Sequence, residues 1–119
     1  MANINESLKT LMSCDGAMGC CIVDYESGMV LGKTGGGVDL ELAAAGNSQV
    51  VKAKMTTMKS LGLKGSIEDI LITLEDQFHI IRPASIHKGL FIYLVLDKAR
   101  SNLALARRQA EKVEQEIDI

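Results

Sequence analysis

Residues 40–61 read LELAAAGNSQVVKAKMTTMKSL, and this stretch decides how the rest of the chain is arranged. It contains no Pro, helix formers predominate, and Gly62 follows as a stop signal, so it predicts one long helix. Asp39 is placed as its N-cap, with Glu41 favourably near the positive end of the helix dipole. At 100° per residue, Leu40, Ala44, Val51, Met55, Met58 and Leu61 form an apolar stripe suited to packing on a sheet. A solvated helix carries charge on its other side. Here that side holds Leu42, Ala45, Gly46, Gln49, Ala53, Thr56 and Ser60, with Glu41, Lys52 and Lys59 displaced to one flank. Small uncharged side chains let a second backbone approach closely. Leu42, Ala45, Gln49, Ala53 and Thr56 are therefore the candidate partner-binding residues.

Before the helix, Ile4, Leu8, Leu11 and Met12 mark a short amphipathic helix that Asp15-Gly16 ends. Met18–Asp24 is apolar on both faces and reads as a strand inside a sheet; Tyr25–Gly28 is a turn, and Met29–Lys33 returns as a thinner strand. Gly35-Gly36-Gly37 reads as a flexible loop. After the helix come strands at Ile67–Leu74, Phe78–Arg82 and Leu90–Leu96, the first two joined by a tight turn at Glu75-Asp76-Gln77. Leu103, Ala106, Ala110, Val113 and Ile117 then define a terminal helix. The order α-β-β-α-β-β-β-α predicts an α+β fold, one antiparallel sheet with helices on it. Within Ile67–Leu74, Ile70, Ile72 and Leu74 share one face and Leu71 and Thr73 the other. With Glu68-Asp69 and Glu75-Asp76 on either side, this reads as an edge strand available for pairing.

The whole of 1–119 is one domain by length, large enough to build its own core. A net charge of −2 and 3% aromatic residues without Trp argue against nucleic acid and anionic membrane partners. The longest apolar runs, Ala17–Val23 and Leu90–Leu96, are strand-sized, and residues 1–12 hold no signal-peptide core, so a cytoplasmic protein is expected. Cys14, Cys20 and Cys21 have no zinc-ligand spacing, His79 and His87 lie apart from them, and no metal is expected. Cys20 and Cys21, being adjacent on a strand, should face opposite sides. Gly28-Met29-Val30-Leu31-Gly32-Lys33-Thr34 is one residue short of a phosphate-binding loop, and its middle is strand-like. Neither Ser66 nor Ser85 sits in a nucleophile elbow, His79 reads as a packed histidine, and Arg107-Arg108 read as a solvated helix face. Nothing in these residues argues for an enzyme.

Three stretches in order carry a resemblance: Gly19–Asp24 with the turn to Gly28–Leu31; Val38–Ala44; and Leu94–Asp97 running into Asn102–Ala106. Over nearly its whole length the chain resembles the roadblock family of dynein light chains and bacterial GTPase regulators, most closely the bacterial type. The resemblance implies a profilin-like, five-stranded antiparallel sheet, with the long helix on one face and the two terminal helices on the other. It implies a homodimer formed by the edge strand after the long helix, here Ile70, Leu71, Ile72 and Thr73, with two long helices side by side. It implies no catalytic residues and no cofactor, but a small Ras-like GTPase as partner, whose switch regions are reshaped on binding. The alternatives are a scaffold subunit that leaves GTP hydrolysis unchanged and, further off, a small-ligand sensor with a pocket between sheet and helix. The three Cys and Gly35–Gly37 depart from the family pattern and have no role assigned by it.

Overall fold

The structure, a computed structural model, describes residues 2–119. Asn3 caps the first helix, α1 (Ile4–Met12), reciprocally: its side chain accepts the Glu6 N–H at 2.8 Å, and the Glu6 carboxylate accepts the Asn3 N–H at 3.1 Å. Strands β1 (Ala17–Asp24) and β2 (Met29–Gly35) follow, then the long helix α2 (Leu40–Ser60). The chain closes with β3 (Ile70–Thr73), β4 (Gln77–Pro83), β5 (Leu90–Asp97) and α3 (Leu103–Glu116). The five strands form one antiparallel sheet in the order β2-β1-β5-β4-β3. The fold is α+β in the expected element order.

Side-chain alternation sorts the core into two layers. On one face Cys20, Ile22, Ile80, Ile92, Leu94 and Leu96 meet Leu8 and Leu11 of α1 and Ala106, Ala110 and Val113 of α3. On the other Cys21, Val23, Ile81, Phe91, Tyr93 and Val95 meet Leu40, Ala44 and Val51 of α2. Both neighbours in sequence, Cys20 and Cys21, are buried, one in each layer. Each fully buried aliphatic contributes about 1.5–3 kcal/mol. The apolar runs of β1 and β5 supply most of that, because both strands lie inside the sheet with helices on each side.

Three local expectations are corrected. The third strand does not span Ile67–Leu74 but only Ile70–Thr73. Asp69 is drawn onto α3 by Arg107, and the Leu74 N–H turns back to the Gln77 carbonyl at 2.9 Å to close the hairpin. Leu61 does not join the sheet-facing stripe: it caps the helix after its last turn and is 65% exposed. Gly35–Gly37 is not loop throughout: Gly35 belongs to β2, and only Gly36 and Gly37 lie outside it. Gly35 ends β2 at φ +78°, a Cβ there would strike the Met18 carbonyl, and the Gly36 N–H donates to that carbonyl at 2.8 Å. Gly35 lets two backbones meet where no side chain fits.

Candidate functional site

The α2 face turned from the sheet is the first half of the site. Asp39 starts the helix by accepting the Leu42 N–H at 3.1 Å, and Lys33 pairs with Glu41 at 3.2 Å beside it. Leu40, Ala44, Ser48 and Val51 are buried, which fixes the helix rotation. Ser48 tolerates burial because its hydroxyl donates to the Ala44 carbonyl at 2.7 Å. Leu42 is therefore left 71% exposed, with Ala45, Gln49, Ala53 and Thr56 exposed in line with it. Val50, not singled out by the sequence reading, adds a further exposed apolar side chain. Helical spacing puts Lys54 on the flank opposite Glu41, Lys52 and Lys59, so charges border the uncharged stripe on both sides rather than one.

The second half is β3. It pairs only with β4, Ile70 opposite Ile81 through Thr73 opposite Phe78, so its outer edge has no ladder partner among the described residues. Ile70 and Ile72 lean into the α2 layer and Leu71 into the layer of α1 and α3; all three are half-buried and Thr73 is exposed. No charge or Pro lies within the four residues to blunt the edge. Both ends are held. At one, Arg107 makes two hydrogen bonds of 2.8 Å to Asp69, and that carboxylate raises the guanidinium pKa further. At the other, Lys98 donates to the Leu74 carbonyl at 3.4 Å. Arg107 is thus engaged within the fold, while Arg108 is solvated.

Behind the edge runs a hydrogen-bonded chain that sequence reasoning did not find. Gln77 donates from Nε2 to the Gly37 carbonyl at 3.3 Å, and its Oε1 accepts from His79 Nε2 at 2.8 Å. That leaves His79 Nδ1 as the acceptor for the Tyr93 hydroxyl at 3.0 Å. Burial lowers the His79 pKa, which matches the neutral tautomer this chain requires. Every ring nitrogen is used, so His79 acts as a structural bridge between the glycine turn and β5. Alternation along β4 was the one available signal, since it places Gln77, His79 and Ile81 on one face.

The remaining chemistry-bearing residues are placed as follows. Burial pushes the Cys20 and Cys21 thiols up to about 12 and raises Cys14 as well, so all three are poor nucleophiles. Gly28–Thr34 runs into and along β2 as a paired strand and not as a loop whose backbone could wrap a phosphate, and Lys33 is paired with Glu41 of the first turn of α2. Among the described residues no three His, Cys, Asp or Glu side chains cluster to hold a metal ion, and no helix is long and apolar enough to cross a membrane.

No protein-family model and no curated protein matches this sequence. Solved structures do match its shape. A roadblock/LC7 domain from Streptomyces avermitilis superposes with a TM-score of 0.81 at 10% identity, over 96% of this chain and 93% of that one. MglB of Myxococcus xanthus gives 0.82 at 17% identity, over 95% and 89%. The gliding protein MglB of Thermus thermophilus gives 0.73 at 18% identity, over 95% and 89%. At these identities the likeness is one of fold, and the chain has the roadblock fold.

Proposed function

We propose that this roadblock-fold chain is a non-enzymatic, cytoplasmic regulator of a small Ras-like GTPase and works as a homodimer. The observation that carries the proposal is the exposed, uncharged α2 stripe on the same molecule as an unpaired edge strand. Interface centres are depleted of charge, while ordinary exposed helix faces carry Lys and Glu. Pairing of β3 edges from two copies would extend the sheet across a two-fold axis and set two α2 helices into one platform. Leu42, Ala45, Gln49, Ala53 and Thr56 are the residues that platform offers the GTPase. A two-fold platform meeting an asymmetric GTPase favours one GTPase per dimer. Regulation then follows from binding one arrangement of the partner's switch regions more tightly than the other. The sequence resemblance to roadblock GTPase regulators and the structural likeness to MglB support this reading.

The test is capture of partners from the source cell on the immobilised protein, followed by GTP hydrolysis assays with any small GTPase recovered. Gln49→Arg and Ala53→Glu should each weaken that complex by about 1–3 kcal/mol through steric clash and an unpaired desolvated charge. Their folding stability should stay near wild type, since both positions are exposed. Binding without a change in hydrolysis would make the chain a scaffold. Wild-type affinity in both variants would remove the α2 platform.

A further inference from the structure

We propose that the cleft under the C-terminal end of α2 binds a small monocarboxylate carrying an apolar tail. The cleft lies between the last turns of α2, the segment 63–68, the end of β4 and the last turn of α3, and encloses about 550 Å³. That is within the roughly 300–1,000 Å³ of ligand pockets. Met55, Met58, Leu63 and Ile67 give it apolar walls.

Its charged end is built from Arg82 and Glu114. The Glu114 side chain is 1% exposed, and its carboxylate accepts the Ser85 N–H at 3.1 Å and the Ser85 hydroxyl at 3.1 Å. The Arg82 side chain is 11% exposed, yet its acid contacts are long, Nη2 to Glu114 at 3.4 Å and to Glu111 at 3.7 Å. Arg82 Nε is buried and has no hydrogen-bond partner among the described residues. The same guanidinium makes no hydrogen bond through Nη1 among the described residues, and Nη1 is not cut off from solvent as Nε is, so an incoming carboxylate oxygen would pair with it there. Lys59 and Lys88 also line the cleft, so its cations outnumber the acids Glu68 and Glu114. The buried carboxylate of Glu114 close by would repel a dianion, which selects a carboxylate over a phosphate. Residues 82, 85 and 114 are brought together only by the fold.

Octanoate is the probe, followed by backbone amide shifts on the intact chain. Millimolar octanoate should shift amides of residues 63–68, 82–85 and 114–115 in a saturable way. Octanol, which has the tail alone, and inorganic phosphate, which has charge alone, should each bind at least about tenfold more weakly. Arg82→Lys keeps a charge but loses the planar donor and should weaken octanoate by about tenfold. Leu63→Asp, at an exposed wall position, should weaken it by at least about tenfold through apolar loss and charge repulsion; it decides the matter if Arg82→Lys does not fold. Absence of saturable shifts in this region, octanol binding as tightly as octanoate, or wild-type affinity in Leu63→Asp would each overturn the proposal. None of these outcomes depends on whether a GTPase binds α2.

Discussion

A lysine at position 71 or 72 perturbs the open edge of β3, where a second copy is proposed to pair. A two-fold axis perpendicular to the sheet keeps each face on its own side, so residues opposite each other across it must share a face. Leu71 belongs to the layer of α1 and α3 and Ile72 to the layer of α2, so Leu71 cannot stand opposite Ile72 of the other copy. Two registers remain that centre on this short strand. Either Leu71 faces its own copy with Ile70 opposite Ile72, or Ile72 faces its own copy with Leu71 opposite Thr73. Both side chains are already half-buried, so completing their burial is worth about 1 kcal/mol per copy and about 2 kcal/mol per dimer. A self-opposed lysine pair adds about 0.2–1 kcal/mol of repulsion. Leu71→Lys and Ile72→Lys should therefore raise the dimer Kd roughly 30- to 150-fold in sedimentation equilibrium, the self-opposed position more than the other. Single cysteines then read the register. A self-opposed residue has its two Cα atoms about 4.5–5.5 Å apart, within disulfide reach, while copies offset by two residues are out of reach. Only one of Leu71→Cys and Ile72→Cys should cross-link under mild oxidation, since the native thiols are buried or half-buried with raised pKa values. The reasoning fails if wild type is monomeric at micromolar concentration, if the lysine variants keep the wild-type Kd, or if neither cysteine cross-links.

Gly35→Ala should lower stability by about 2 kcal/mol, from positive φ and the close Met18 carbonyl, seen as a lower urea midpoint. An unchanged midpoint would mean that the end of β2 shifts freely. Because burial depresses the folded-state pKa of His79, protons bind the unfolded chain first as pH falls. This contribution to stability is full above the ordinary value of 6.5, declines as pH falls from there, and is lost by the lowered folded pKa. Urea midpoints across this window should show that decline in wild type and lack it in His79→Gln; equal slopes would refute the assignment. Arg107→Gln should cost about 0.5–1 kcal/mol, since Arg107 is half-exposed, and should speed amide exchange in residues 68–73 by releasing Asp69. Exchange at wild-type rates would show that Asp69 does not hold the edge strand in place.

The element order, the burial of β1 on both faces and the uncharged face of α2 are legible in the residues alone. Each of these is a matter of local periodicity. A residue's place on a helix or strand decides which side it presents, so Leu40, Ala44 and Val51 inward and Leu42, Gln49 and Ala53 outward could be read without knowing what lay on either side. The runs in β1 and β5, apolar at successive positions, likewise required cover on both faces. Where side chains distant in sequence meet is set by the folded chain. Glu114 sits among Glu111, Lys112, Gln115 and Glu116 and looks like one more solvated acid, yet it is buried because the backbone at Ser85 is folded against that turn of α3. The ion pair of Arg107 with Asp69 shortens β3 across 38 residues of sequence separation. The glycine tract gained its meaning only when the backbone beside Met18 and the Gln77 side chain were placed against it. Periodicity reports which face is buried; it holds no information about which partner group arrives there, because that depends on the path of the whole chain.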